Sequence, residues 1–275
     1  MGNLISVSSA PIARLGNKEY YDLLGTLEVL RKVHKDSTVD GFELQLEPEW
    51  DSERSPLTDA ELADWTKITK FTFRQISALV RKERLPILSV HASRDVGGYL
   101  CSSRKRDFEK SKNLIFESLS LTENLGAKVC VFHVWDTRKK EFDSEAVREV
   151  FLEISRQFSR VKASVENIPT HLRGHTPFTL AEQFDYVTLD LRWAALYDEL
   201  DRFESIVDKI VNVHLRGRLE GNAWVLNRSS FSFQQALSKI QGKWKYPGLL
   251  TVEPEGGTDS SSYDSFIKAM KSLRK

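Results

Sequence analysis

The sequence has few cysteines and no long hydrophobic run, and each absence argues against a class of protein. Cys101 and Cys130 are the only cysteines among 275 residues, which does not suit a disulfide framework and favours a reducing cytoplasm. No apolar run approaches the roughly 20 residues of a membrane span, and the N-terminus lacks the basic start and long apolar core of a signal peptide. We therefore expect a cytoplasmic protein without a membrane partner.

The chain also has almost no net charge and no repeated or low-complexity segment. A formal charge of +1 gives no global reason for a polyanionic partner, so phosphate or nucleic acid would have to bind to local clusters. Apolar residues at 40% and charged residues at 29% are typical of a globular protein with a sizeable core. The length suits a (β/α)8 barrel, which needs about 250 residues.

Short apolar segments alternate eight times with segments of helical periodicity. Because this alternation is typical of a parallel sheet covered by helices, we predict an α/β fold: a single (β/α)8 TIM barrel domain over residues 1–275. The pattern predicts a first helix from about Tyr20, a helix from Thr58 to about Glu83, and a short helix over Thr179–Phe184.

Several of the apolar segments end on a side chain that can bind a metal or transfer a proton. In a parallel barrel all C-terminal strand ends meet at one rim, so these side chains should lie together. They are His91, His133, Glu166, Asp190, His214 and Glu253. In the second strand apolar and polar residues alternate, which predicts that Glu43 or Gln45 also faces the mouth of the barrel.

Four of these residues form the stronger prediction, which we call the four-strand set: Glu166, Asp190, His214 and Glu253. Mixed carboxylate and imidazole ligands suit a divalent ion such as Mn, Mg, Zn or Co. The alternative is that each is simply a polar residue at the point where a strand leaves the core. Four together at successive apolar strands favour the metal.

The remaining histidines give weaker predictions. His91 and His133 are candidate ligands of a second metal ion, although a histidine at a strand end is often a hydrogen-bonded structural group. His171 follows Glu166 in a loop and is a candidate contact to substrate or metal, whereas a solvated histidine is the commoner outcome there.

Arg216 and Arg218 follow His214 closely and should stand at the same rim. Guanidinium groups form paired, charge-assisted hydrogen bonds with phosphate or carboxylate oxygens, so we predict that these two arginines bind an anionic or strongly polar substrate. The alternative is a pair of solvated surface cations.

The motifs ENIP, LDLR, HLRG and VEPEG, at the ends of these strands, resemble the xylose isomerase-like TIM barrel superfamily. That superfamily includes sugar isomerases, sugar epimerases and endonuclease IV. The resemblance implies that the four-strand set is the metal site and that Glu166 and Glu253 are the catalytic acid and base. It also matches His91 and His133 to histidines that complete a dinuclear zinc site in endonuclease IV.

The sequence departs from endonuclease IV at two positions. Trp193 stands where that family has a further zinc ligand, and the segment NAWVLN (222–227) replaces its Asp-x-His pair. The resemblance therefore implies first a metal-dependent isomerase or epimerase of a small sugar or sugar phosphate, in carbohydrate metabolism. A phosphodiesterase acting on abasic DNA is the second alternative, and a barrel that binds a ligand without catalysis is the third. A homo-oligomer is left open.

Overall fold

The computed structural model describes residues 2–51, 68–220, 223–226, 229–255 and 263–273. Eight parallel strands close into a barrel, and a ninth strand forms a hairpin with the end of the seventh. The strands are β1 (Leu4–Ser8), β2 (Gly41–Gln45), β3 (Ile87–His91), β4 (Val129–Phe132), β5 (Lys162–Glu166), β6 (Val187–Asp190), β7 (Ile210–Glu220), β8 (Ala223–Val225) and β9 (Leu249–Pro254). β6 pairs with β7, β7 with β9, and β9 with β1, which closes the ring. The predicted (β/α)8 TIM barrel is confirmed.

Helices follow the strands and cover the outside of the barrel. They are α1 (Ser9–Leu15), α2 (Leu23–Asp36), α3 (Phe73–Glu83), α4 (Val96–Leu100), α5 (Lys105–Asn124), α6 (Ser144–Ser155), α7 (Pro177–Ala181), α8 (Leu191–Leu196), α9 (Phe233–Ser238) and α10 (Tyr263–Ser272). Among the described helices, none has the length and hydrophobicity needed to cross a membrane.

The beginning of the chain differs from the prediction in two ways. A short helix, α1, follows β1 directly and was not predicted. The next helix begins at Leu23 and not near Tyr20, because the side chain of Asp22 caps it by accepting a hydrogen bond of 2.9 Å from the backbone N–H of Gly25.

Two later helices also have boundaries that local capping explains. The helix predicted from Thr58 to about Glu83 is wrong over residues 68–72, which are not helical. Its predicted start lies outside the described residues, and α3 begins at Phe73 behind a capping box and ends at Glu83 as predicted. The helix predicted over Thr179–Phe184 begins two residues earlier, at Pro177, because a proline fits the first helical position, and it ends three residues earlier, at Ala181.

The inside of the barrel carries a layer of buried polar side chains that bond to one another. The hydroxyl groups of Ser164 on β5 and Thr188 on β6 lie 2.6 Å apart. The hydroxyl group of Thr251 on β9 donates a hydrogen bond of 2.9 Å to the side-chain oxygen of Asn212 on β7. Asn212 on β7 also donates across the barrel to Glu43 on β2 at 3.1 Å. The large apolar side chains lie instead between strands and helices, as in the edge-to-face pair of Phe132 and Phe151.

Candidate functional site

The six polar strand ends lie together at the C-terminal rim of the barrel. His91, Glu166 and Asp190 are the last residues of β3, β5 and β6; His133 directly follows β4; His214 and Glu253 lie within β7 and β9. Glu166, Asp190 and His214 are at most 1% exposed. Barrel closure therefore brings together every metal-ligand candidate that the sequence places at a strand end.

Glu166 is at the centre of this cluster. Its Oε2 atom lies 3.1 Å from His91 Nε2, 3.0 Å from His133 Nε2 and 3.5 Å from His214 Nδ1. Candidate ligand atoms lie within 4.8 Å of one another in two groups that share this glutamate. One group is Glu166, Asp190 and His214, and the other is His91, His133 and Glu166.

Several buried atoms of the cluster have no hydrogen-bond partner among the described residues. They are Glu166 Oε1, Asp190 Oδ2, His214 Nδ1 and Glu253 Oε2. Buried polar atoms are normally satisfied, so four such atoms at one place indicate that a further group belongs there. Three carboxylates and an imidazole nitrogen are donors suited to a divalent cation, so the four-strand set fits the predicted metal.

The electrostatics of the cluster follow from its burial and its close opposite charges. Burial opposes every ionised form, but His133 and His214 hold the pKa of Glu166 well below its usual value. Burial also opposes a charged imidazole, yet nearby carboxylates raise the pKa of His91 to about 9 and that of His214 to about 10. In the metal-free protein, protons on these histidines balance the carboxylates, and a bound cation would replace those protons.

Asp190 behaves differently from Glu166 although both are fully buried. Burial raises the pKa of Asp190 to about 7, against the opposing effect of the Arg216 charge. The backbone around this aspartate is fixed by Asn167, whose side-chain oxygen accepts a hydrogen bond of 2.6 Å from the Asp190 N–H. The amide of the ENIP motif thus joins the ends of β5 and β6.

Glu43 supports the cluster from inside the barrel. Both of its carboxylate oxygens lie 3.3 Å from His214 Nε2, and its Oε2 accepts hydrogen bonds from Ser89 at 2.8 Å and from Asn212 at 3.1 Å. Because the Nε2 side of His214 faces Glu43, its Nδ1 atom faces Glu166 and Glu253. Glu43 or Gln45 was predicted to face the mouth of the barrel: Glu43 lies inside the barrel and Gln45 lines the cavity above it. The contact of Glu43 with His214 was not predicted.

A cavity of about 600 Å³ lies over the rim, within the range usual for small-molecule sites. Its lining includes Glu253 and Gln45. Sequence analysis missed other lining residues, namely Arg14, Tyr20, Glu47, Arg94, Arg192 and Glu255. Sequence patterns could have placed two of these at the rim: Glu47 continues the alternation of polar and apolar residues in β2, and Arg192 belongs to the LDLR motif. Arg14 had none, because its helix was not predicted.

Glu47 is a buried acid at the side of the cavity. Its Oε2 accepts a hydrogen bond of 2.8 Å from Arg94, while its Oε1 has no hydrogen-bond partner in the described part of the chain. Burial, opposed by the charge of Arg94, raises the pKa of Glu47 to about 7. This carboxyl group therefore has an acceptor oxygen available to a ligand.

The three predicted substrate contacts occupy different environments. Arg216 is 24% exposed, with its Nη1 3.6 Å from Asp190 Oδ2 and 3.8 Å from Glu253 Oε1. Arg218 is 54% exposed, pairs with Glu220 and lines the cavity. His171 is exposed, its Nδ1 lies 2.7 Å from the carbonyl oxygen of Thr137, and it is absent from the cavity lining. The structure thus brings both arginines, but not His171, to the cavity.

Trp193, at the position where endonuclease IV has a zinc ligand, organises two of the arginines. Its ring centroid lies 4.7 Å from the guanidinium carbon of Arg192 and 5.1 Å from that of Arg216. Both arginines also pair with Glu255. The tryptophan therefore packs against two arginines that line the cavity, and its side chain supplies no metal ligand.

No protein-family model and no curated protein matches the chain. Solved structures match it over nearly its whole length. A sugar phosphate isomerase/epimerase from Parabacteroides distasonis is 15% identical, with a TM-score of 0.66, and the match covers 100% of this chain and 96% of that one. A D-allulose 3-epimerase from Methylomonas sp., in complex with D-allulose, is 11% identical, with a TM-score of 0.65 and coverage of 99% and 96%. An L-ribulose 3-epimerase is 12% identical, with a TM-score of 0.64 and coverage of 100% and 92%. The chain therefore has the same (β/α)8 barrel fold as these sugar isomerases and epimerases.

Proposed function

We propose that this protein is a divalent-metal-dependent isomerase or epimerase of a small sugar or sugar phosphate. The observation that carries the proposal is the convergence, beneath a cavity of about 600 Å³, of buried ligand atoms from four strands that make no hydrogen bond within the described part of the chain. The matching epimerase structures support the same class, since the D-allulose 3-epimerase is seen with its sugar.

The four-strand set would hold a cation such as Mn, Mg, Zn or Co. When bound, the cation would polarise adjacent carbonyl and hydroxyl oxygens of a sugar, which makes the proton on the neighbouring carbon more acidic. Glu43 would keep His214 in the orientation that presents Nδ1, as second-layer carboxylates do for metal-binding histidines.

Glu166 and Glu253 are the acid/base pair of this proposal. Their Oε2 atoms lie 3.5 and 3.4 Å from the same atom, His214 Nδ1, so both carboxylates reach one region. Because its pKa is held low, Glu166 is ionised at neutral pH, the form in which a carboxylate is able to take a proton from a substrate. In an epimerisation one carboxylate removes the proton and the other returns a proton to the opposite face; in an isomerisation the proton returns to the adjacent carbon.

The test is a panel of ketoses and their phosphates, incubated in D2O with each of the four metals. We expect deuterium at the carbon next to the carbonyl of at least one compound, together with product formation. Glu253→Gln should lower the rate by about 100-fold or more, the usual contribution of a positioned acid or base. Absence of exchange across the panel would refute the proposal.

A second candidate rests on the other ligand group, formed by His91, His133 and Glu166. Two neighbouring metal sites are typical of phosphodiesterases that use a metal-activated water. Incubation with a duplex containing an abasic site tests this candidate, and metal-dependent incision that disappears in Glu166→Gln would rank it first.

A further inference from the structure

Glu47 lies at the rim of the barrel, across its mouth from β6 and β7. It follows the end of β2, and the backbone N–H of Leu46 donates a hydrogen bond of 2.9 Å to the carbonyl oxygen of His91 at the end of β3. In the closed ring, β2 stands opposite β6, and β3 stands opposite β7. Glu47 and Glu253 line the same cavity. A ligand held by one end at the four-strand set is therefore able to extend towards Glu47.

The carboxyl group of Glu47 is fixed through one of its two oxygens. Its Oε2 accepts a hydrogen bond of 2.8 Å from Nη1 of Arg94, whose Nη2 donates to Glu49. The Glu47 side chain is 1% exposed, and its Oε1 makes no hydrogen bond within the described residues. Buried carboxylate oxygens are normally hydrogen-bonded, because an unmade bond at such an acceptor is costly. A donor from outside the protein chain would satisfy Oε1.

Neutralisation of Arg94 does not account for the presence of Glu47. Glu49 pairs with the same guanidinium group, is as deeply buried as Glu47, and is absent from the lining of the cavity. A second buried acid costs free energy that Arg94 does not fully offset, since burial raises the pKa of Glu47 to about 7. The acid that carries this cost is the one that reaches the cavity, which indicates a role towards a ligand.

The charges around Glu47 indicate a neutral donor on that ligand. An ammonium group would meet Arg94, which lies beside Oε2, and Arg14, which lines the same cavity, so its net attraction to this place is small. A fully ionised phosphate or a carboxylate would be repelled by Glu47 and has no hydrogen to donate. A sugar hydroxyl group is uncharged and donates one hydrogen bond, so it fits both requirements.

We propose that Glu47 is the specificity-determining residue for the end of the sugar farthest from the four-strand set, where its Oε1 accepts a hydrogen bond from one hydroxyl group. Arg94 positions the carboxylate for that bond. The inference rests on the proposed function and adds a residue that selects the substrate away from its reacting carbons. A site built to bond a hydroxyl group discriminates strongly against an analogue that lacks it, because the analogue leaves the buried acceptor unpaired.

Isothermal titration in the presence of Mn²⁺ tests this inference with D-allulose and its 4-deoxy, 5-deoxy and 6-deoxy analogues. The titrations are run at about pH 8, above the pKa of Glu47, so that its carboxyl group is mostly ionised. We expect one analogue to bind the wild type at least about tenfold more weakly than D-allulose, as the loss of a hydrogen bond to a charged group implies.

Glu47→Gln gives the sharper comparison. Because the Arg94 guanidinium group has donors only, the amide oxygen of the new side chain should face Arg94, and the NH2 group should take the place of Oε1. D-allulose should then lose at least about tenfold in affinity, whereas the sensitive analogue should lose little. The ring forms of the free sugars are the same with both proteins and cancel in this double comparison. A purely structural Glu47 would instead weaken all four compounds by one factor.

Glu49→Gln is the matched control. It removes the charge of the other acid beside the same arginine, but Glu49 does not line the cavity. This variant should leave the affinities for all four compounds close to those of the wild type.

Four results would overturn the inference: no measurable binding of D-allulose to the wild type, equal affinity of the wild type for all four compounds, a uniform loss in Glu47→Gln, or the same selective loss in Glu49→Gln. The proposed function fails separately. Selective coupling between Glu47 and one hydroxyl group, without proton exchange on any sugar, would remove the isomerase but leave the hydroxyl site. Proton exchange on a ketose without that coupling would do the reverse.

Discussion

Glu43 offers the sharpest test of how the fold supports the site. Glu43→Gln keeps the size of the side chain and removes its negative charge. Glu43 and His214 are both fully buried, so the imidazole loses its charged partner in a place where water does not replace it. The new amide also brings an NH2 group, which donates hydrogen bonds, next to Ser89 and Asn212, whose side chains donate hydrogen bonds to Glu43 in the wild type.

The size of the effect follows from these contacts. Removal of one partner of a buried ion pair costs about 3 to 5 kcal/mol, so we expect the free energy of unfolding to fall by about that amount. Loss of a second-layer partner of a metal-binding histidine typically weakens metal binding by about 10-fold to 100-fold. We therefore expect a Mn²⁺ dissociation constant raised within that range.

Urea denaturation of the metal-free protein and titration with Mn²⁺ measure the two quantities separately. Ser89→Ala is the control, because it removes one hydrogen bond to the same carboxylate and leaves the charge in place. It should cost about 1 kcal/mol of stability and leave the Mn²⁺ affinity close to wild type. If Glu43→Gln keeps wild-type stability and affinity, Glu43 does not position His214 and our reasoning is wrong.

Three further predictions follow from the site. Mn²⁺ at 100 times its dissociation constant should raise the free energy of unfolding by about 2.7 kcal/mol, and EDTA should reverse this gain. Glu166→Gln and Asp190→Asn should abolish the gain. If both variants keep it, the metal binds elsewhere. Because Trp193 supplies no ligand, we expect little or no incision of an abasic duplex on a denaturing gel, and robust metal-dependent cleavage would contradict this. Burial raises the pKa of Glu47 in the folded protein to about 7, so between pH 4.5 and 7 the folded protein keeps a proton on Glu47 that the unfolded chain releases. The free energy of unfolding of the wild type should therefore fall as the pH rises through this range. The free energy of unfolding of Glu47→Gln, relative to that of the wild type, should therefore rise by up to about 3 kcal/mol between pH 4.5 and 7. If the difference between the two proteins does not change with pH, the raised pKa of Glu47 is refuted.

The sequence by itself determined the barrel and the membership of the cluster of polar strand ends. Apolar runs that end on Glu166, Asp190 and His214 suit a parallel sheet covered on both faces, and in a closed parallel barrel the strand ends meet at one rim. Because all parallel strands end on the same side, local patterns were sufficient to place these side chains together, without knowledge of any long-range contact.

Helix boundaries were less well determined, because they depend on single side chains. Asp22 and Pro177 set the starts of α2 and α7 through capping and through the fixed backbone of proline. Helix α1 follows β1 without a break, so no loop signal separated the two elements in the sequence.

Tertiary structure alone decided which polar residues support the cluster and which face the cavity. Glu43 and His214 are 171 residues apart, and only closure of the barrel brings β2 opposite β7. Arg216 and Arg218 look equivalent in the motif HLRGR, yet Arg216 lies beside β9 and contacts Glu253, whereas Arg218 lies beyond the end of β9 and pairs across to β8. A periodic pattern gives the side of a strand on which a residue lies, but the neighbours there depend on strands that are distant in sequence.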